Sequence, residues 1–245
     1  MDDLKEKSIV LATDLDGTFL GGSDAEKADL YRFIEDRRDD IGLVFVTGRD
    51  VDFIQKITRD EGVPAPDLII GDVGTTIVDG RAYQPFAPVD EWIEAAWPGA
   101  EKAEEVLARA PHLKRQDVFG GRRVSFFYED PIAAKATAAE IEALGYDVLL
   151  SADLFFDVLP RGVQKGPTLQ KTVSALSIDP TKVLVAGDTL NDLSLFLTEL
   201  DGVMVANAEA ALVEAVKGLE NVMHADREGA GGVHDAVIAK LNRPL

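Results

Sequence analysis

The chain has 245 residues, 46% apolar and 28% charged, enough for one large buried domain or a domain carrying an insert. Its 44 acidic against 25 basic residues give a formal net charge of −19, a field that repels phosphate backbones and anionic bilayer surfaces and argues against nucleic-acid and membrane partners. The absence of cysteine excludes disulfides and thiolate catalysis.

In chain order, MDDLKEKSIV places acids ahead of a strand-length apolar run, which is no signal peptide. No apolar stretch has membrane-spanning length, so a cytoplasmic protein is the expectation. Ile9–Ala12 is an apolar run without alternation, the pattern of a strand buried on both faces. A helix over Ala25–Arg38, a strand Leu43–Val46, a helix Val51–Glu61 and a strand Leu68–Ile70 follow. TTIVDGRAYQ reads as a hairpin turning at Asp79-Gly80. The rhythm resumes with helix Pro167–Leu176, strand Val183–Ala186, helix Leu193–Leu197, strand Val203–Ala206 and helices Ala208–Val216 and Val233–Leu241. Alternation of this kind predicts a parallel sheet with helices on both faces.

The stretch between differs. Helical segments (Glu101–Ala110, Ile132–Leu144) and strand-like ones (Arg123–Tyr128, Asp147–Leu150, Leu154–Val158) occupy a region too long for a loop. The expected organisation is an α/β core over 1–84 and 161–245 with an α+β insert over 85–160.

Four places carry chemistry. Asp14-Leu-Asp16-Gly-Thr18 follows the first strand, and the carboxyl ends of parallel strands face the crevice where ligands bind. A carboxylate there can attack a phosphoryl group while a second moves a proton; a polar turn at a strand end fits the same residues. Thr47-Gly48-Arg49 follows the second strand, offering a hydroxyl and a backbone N–H to phosphate oxygens, or simply an N-cap, with Arg49 able to meet an anion or stand in solvent. Lys165 opens a predicted helix, where a cation offsets phosphate or carboxylate charge, although surface lysines are common. Gly187-Asp188 ends another strand, and Asn191-Asp192 opens the next helix. Asp188 and Asp192 then share one side, as Mg²⁺ ligands or as helix-dipole partners. GAGGVHD is no dinucleotide fingerprint, since His234 stands where the last glycine should be.

Taken together, DLDGT, VTGR, Lys165-Gly166 and GDTLND resemble the four motifs of haloacid dehalogenase-like (HAD) phosphatases. The insert between Thr47 and Lys165 resembles a C2-type cap of the B branch, so the resemblance implies a Rossmann-like HAD core carrying that cap. VGTTI, FFDVLPRGVQKG and GDTLNDLSLF are most similar to sucrose-phosphate phosphatase and related sugar-phosphate phosphatases. Leu190 departs, since sucrose phosphatases carry glycine there.

The resemblance implies Mg²⁺ held by Asp14, the Asp16 backbone carbonyl, Asp188 and Asp192. It implies Asp14 as nucleophile, Asp16 as acid then base, and Thr47, Gly48 and Lys165 on the phosphate, with Arg49 and Asn191 beside the substrate. Gly21-Gly22 and Ser23 would form a flap beside the nucleophile, and Asn207 ends a strand near the site or caps a helix. Gln116, Arg123, Ser125 and Phe127 are the cap residues expected to face the sugar. Arg122 and Arg123 fit a solvated hairpin equally, and for Arg122 that is the expectation. The expected substrate is a phosphorylated sugar, such as a disaccharide or glycosylglycerol phosphate; a synthase partner that delivers it is left unassigned. A phosphomutase of the phosphomannomutase type and a non-catalytic phosphosugar-binding protein are the rival readings.

Overall fold

The structure, a computed structural model, describes residues 3–118 and 121–242. Its strands are β1 (Ile9–Thr13), β2 (Ile41–Val46), β3 (Leu68–Gly71), β4 (Thr76–Asp79), β5 (Leu113–Arg115), β6 (Val124–Tyr128), β7 (Tyr146–Ser151), β8 (Phe155–Pro160), β9 (Val183–Gly187), β10 (Asp201–Met204) and β11 (Val222–His224). Seven of them form one sheet in the order β11-β10-β9-β1-β2-β3-β4, parallel throughout except for the β3–β4 pair. The fold is therefore the expected α/β one.

A parallel strand covered on both faces needs apolar side chains in both directions. Ile9 and Leu11 enter one core with Phe45, Ile69 and Leu184. Val10 and Ala12 enter the other with Val44, Ile70 and Val185. The first core is closed by helices Asp24–Glu35, Val51–Asp60 and Gly229–Leu241 through Ile34, Ile54 and Val233. The second is closed by helices Ala87–Ala96, Lys165–Ala175 and Ala210–Ala215 through Ile93, Leu169 and Leu212.

The remaining four strands make an antiparallel sheet in the order β5-β6-β8-β7. Side chains alternate across it. Val124, Phe126, Tyr128, Phe156 and Val158 pack on one face against helices Glu101–Leu107 and Pro131–Glu142. Ser125, Phe127, Phe155 and Asp157 occupy the other, with Ser125 opposite Asp157 and Phe127 opposite Phe155. Only residues 161–164 separate β8 from the helix that begins at Lys165.

Several expectations are corrected. The hairpin predicted for TTIVDGRAYQ is reduced to an isolated bridge, Val78 to Pro85; β4 instead pairs along its length with β3. The C-terminal helix starts at Gly229 rather than Val233, so GAGG forms its first turn. The strand expected at Val203–Ala206 lies two residues earlier. Arg122 is mostly buried, and its guanidinium bonds Asp90 through both the backbone and side-chain oxygens, so it is no solvated hairpin residue. Among the described residues no helix is long and apolar enough to cross a membrane.

Candidate active site

The register of the large sheet sets the site. Thr13 aligns with Phe45 and with Ala186, so β1, β2 and β9 end almost level and release Asp14, Thr47 and Asp188 at one rim. The Asp14 N–H donates to Ala186 O at 2.9 Å, which holds β1 against β9 one residue beyond the strand. A wide turn over Leu15–Phe19 then carries the chain away, with the Phe19 N–H returning to Asp14 O at 3.3 Å. Gly17 sits in this turn at φ +79, and a Cβ there would collide with the Asp188 carboxylate. The glycine of DLDGT is thus required by backbone shape and by the approach of a second acid. The Thr18 hydroxyl donates to Asp188 Oδ1 at 2.7 Å, so the motif's threonine orients that acid.

Lys165 is the centre. Its side chain is fully buried, and Nζ donates to Asp14 Oδ1 at 2.7 Å, Asp192 Oδ1 at 2.6 Å and Asn191 Oδ1 at 2.7 Å. All three ammonium hydrogens therefore have oxygen acceptors, which is what a buried lysine needs to stay charged. Burial works to lower its pKa, but Asp14 and Asp192 outweigh it and hold the ammonium above the ordinary lysine value. The other Asp192 oxygen accepts from the backbone N–H groups of Asp188 and Thr189 at 3.0 and 3.1 Å. Asp192 thus joins the lysine to the loop that carries Asp188.

The acids are crowded. Burial pushes the Asp14 carboxyl well above the usual carboxylate range against the pull of Lys165, and Asp192 and Asp188 add to the rise. Burial likewise lifts Asp188 to about 7, opposed by the Thr18 hydroxyl and reinforced by Asp192. Carboxylate oxygens of Asp14, Asp188 and Asp192 lie within 4.8 Å of one another. An all-oxygen, anion-rich donor set suits a hard divalent cation such as Mg²⁺ and would be relieved by one. The residues present therefore fit the metal.

Asp16 is different. Its carboxylate is half-exposed and makes a two-point ion pair with Arg49, at 2.7 and 2.8 Å, while the guanidinium lies over the Phe53 ring. Thr47 is buried, and its hydroxyl accepts from the Arg49 N–H at 3.1 Å. Asp14, Asp16, Gly48, Arg49 and Asn191 line a cleft of about 470 Å³ whose opposite wall is the second sheet. Gln116 and Arg123 line it too, as does Phe155. Ser125 is buried behind this wall and donates to Asp157.

Phe127 does not reach the cleft: it lies beyond Phe155, ring centroids 5.8 Å apart, and borders a separate hollow with His112 and Glu129. Asn207 joins the Leu15–Phe19 turn to the C-terminal helix, with Nδ2 donating to Gly17 O at 2.9 Å and Oδ1 accepting from the Gly229 N–H at 2.8 Å. Sequence reasoning missed Asp157 and Asp72. An aspartate inside the apolar FFDVLP was the available signal for the first; the second sits in a loop whose shape no local pattern announces.

Comparisons agree with this geometry. Residues 7–239 match the family described as sucrose-6F-phosphate phosphohydrolase. The chain is 41% identical over 231 residues to a glucosylglycerol-phosphate synthase of Pseudomonas anguilliseptica, covering 94% of this chain and 30% of the relative. It is 30% identical over 233 residues to the mannosylfructose-phosphate phosphatase of Agrobacterium fabrum, covering 91% of this chain and 93% of that one. The solved sucrose-phosphatase of Synechocystis sp. PCC6803, in complex with sucrose and phosphate, superimposes with a TM-score of 0.87 at 23% identity, covering 96% and 98% of the two chains. The chain spans under a third of the length of the synthase and 58% to 60% of the plant sucrose-phosphatases it matches. The chain belongs to the sucrose-6F-phosphate phosphohydrolase family, built on the haloacid dehalogenase-like fold.

Proposed function

We propose that this chain is a Mg²⁺-dependent phosphomonoester hydrolase acting on a glycosyl phosphate of the disaccharide or glycosylglycerol class. Residues 1–84 and 161–245 act as the core; of the insert 85–160, helix Ala87–Ala96 packs on that core and the part built on the antiparallel sheet acts as the cap that selects the sugar. The observation that carries the reading is Asp14, set at the floor of a cleft of about 470 Å³ with Lys165 on one carboxylate oxygen and Asp188 beside it. The synthase relative, named for a glucosylglycerol phosphate, favours a glycosyl polyol ester over a free hexose phosphate.

Asp14 Oδ1 is held by Lys165, which leaves Oδ2 to attack phosphorus in line and form an aspartyl-phosphate. Asp14, Asp188 and the Asp16 carbonyl would hold Mg²⁺, with Asp192 supporting them. When bound, the metal offsets the charge on the phosphate and on the crowded acids. The Thr47 hydroxyl and the Gly48 N–H receive the transferring phosphate oxygens, while the buried Lys165 ammonium, held on Asp14, Asn191 and Asp192, offsets their charge from behind. Asp16, freed from Arg49 and protonated from solvent, gives that proton to the leaving sugar oxygen, then regains one from the water that hydrolyses the intermediate. Arg49 holds the Asp16 carboxylate at the cleft mouth until the ester arrives.

The test is phosphate release from hexose, disaccharide and glycosylglycerol phosphates, with Mg²⁺ or with EDTA, for wild type and Asp14→Asn. Turnover that needs both the metal and Asp14, and is fastest on glycosyl esters, is the expected result. A folded, Mg²⁺-loaded protein that releases no phosphate from any of them sinks the reading.

A further inference from the structure

The described cap and core meet at an ion cluster that the reaction does not use. Arg123, at the start of β6, is nine-tenths buried between two acids from different parts of the chain. One Nη lies 2.9 Å from Asp72 Oδ1, in the core loop after β3; the other lies 3.8 Å from Asp157 Oδ1, on β8 of the cap sheet. Both acids are buried. One guanidinium serving two buried carboxylates leaves an uncompensated negative charge, a costly arrangement unless something else completes it. The hydrogen bonding is also unfinished: Asp72 Oδ1 and Arg123 Nε are buried without a hydrogen-bond partner, the 2.9 Å ion pair being poorly aligned. Of the two acids Arg123 lies closer to Asp72, yet without an aligned hydrogen bond to it.

The Asp72 loop is joined to the phosphate site. Asp72 and Val73 have φ of +52 and +61, a strained backbone for residues with side chains and a marked outlier for valine. The Val73 N–H donates to Thr47 O at 3.0 Å, and the Gly74 carbonyl accepts from the Thr168 hydroxyl at 2.8 Å in the helix that Lys165 begins. Val73, Arg123 and Asp157 all line the cleft. A strained loop therefore runs from the cap's arginine to the backbone behind two phosphate-binding residues.

Resting on the reading of the chain as a glycosyl-phosphate phosphatase, we propose that Asp72 is a positioning residue that couples sugar binding to the phosphate site. A sugar hydroxyl donating to Asp157 releases Arg123 to align on Asp72. That draws the cap onto the core and fixes the loop that holds Thr47 and the Lys165 helix. Selectivity then appears in turnover as well as in binding, because a sugar that does not reach Asp157 leaves the phosphate site loose.

The test compares a glycosyl phosphate with a small aryl phosphate that has no hydroxyls for the cap, both with Mg²⁺. Wild type, Asp72→Asn, Arg123→Met and the double variant are assayed, each with its melting temperature. Asp72→Asn should lower kcat on the glycosyl ester by about tenfold or more with little change in KM, and stay within about threefold of wild type on the aryl ester. The double variant should be no worse than about threefold below the poorer single variant, because one linkage has been broken twice. If Asp72→Asn does not fold, Asp72→Glu, which keeps the charge and moves it by one methylene, carries the same comparison. Equal losses on both esters, an unchanged Asp72→Asn, or losses that multiply in the double variant overturn the coupling. Wild type active on glycosyl esters with any of those outcomes overturns the coupling alone. Wild type active only on the aryl ester overturns the proposed substrate class with it.

Discussion

The two sheets treat buried charge in opposite ways. At the rim of the parallel sheet each ammonium hydrogen of Lys165 has an oxygen acceptor, and both Asp192 oxygens are engaged. On the cleft side of the antiparallel sheet one arginine stands between two acids, with its own Nε and Asp72 Oδ1 left without hydrogen-bond partners. A saturated network fixes one geometry; an unsaturated one can accept a ligand or rearrange. Under the proposed function, the first suits a phosphate that is the same in every substrate, the second a sugar that differs.

Removing the two cations is the strongest way to break that contrast. Lys165→Met leaves Asp14 and Asp192 facing each other without a cation, and should cost about 3–5 kcal/mol and lower the melting temperature of the metal-free protein by roughly 10 °C. Arg123→Met, removed from a cluster already short of bonds, should cost less than half as much. Differential scanning calorimetry of both, without Mg²⁺, decides; equal losses would mean that the cap cluster is as saturated as the core's.

Next is Gly166, where an added Cβ would collide with the Ser194 carbonyl. Gly166→Ala must push the Lys165 helix off its neighbour, at a cost of about 1–3 kcal/mol, and should reduce phosphate release on every ester alike. A selective loss would place the helix under cap control instead.

A pH-dependent effect concerns Asp188. Its carboxyl, near 3.8 in the unfolded chain and lifted to about 7 by burial when folded, holds a proton in the native state that the unfolded state has already lost. Native stability attributable to Asp188 is therefore unaffected below pH about 4, falls as pH rises to about 7, and is constant above. Relative to wild type, Asp188→Asn should gain melting temperature across that window, by the equivalent of roughly a few kcal/mol. Mg²⁺ should flatten the difference by stabilising the ionised wild type. Parallel curves for the two proteins would remove Asp188 from the crowded set.

The smallest effect is expected at the cleft mouth. Asp16 and Arg49 are half-exposed, so Arg49→Ala should change stability by no more than about 1 kcal/mol. Its mark should be on turnover, through Asp16, and urea melts beside phosphate-release assays would separate the two.

The rim of the parallel sheet was legible in the sequence because its chemistry restricts residue types. Acids, a threonine and a lysine at strand and helix ends are what phosphoryl transfer needs, and buried parallel strands advertise their ends through unbroken apolar runs such as Val183–Ala186. The cap was less legible. Its edge strand β5 has three residues, one of them buried, and carries no periodic signal; the same is true of β11 at the edge of the large sheet. Phe127 and Phe155 are directly opposed on one face, and only strand order and placement show that Phe155 meets the cleft. Arg123 was visible as a cap residue, but its partner Asp72 lies on another segment, and no local pattern joins them.

The short return from β8 to Lys165 has a mechanical consequence. Within residues 161–164 the Gly162 N–H is fastened to Asp147 on β7 at 2.8 Å, and Val163 is fully buried in the second core. The tether has almost no slack, so the strand that bears Asp157 and the helix that bears the ammonium behave as one lever. A molecule wedged under the cap, far from phosphorus, would pull on the lysine through the main chain. Inhibitors of this protein therefore need not resemble a phosphate at all.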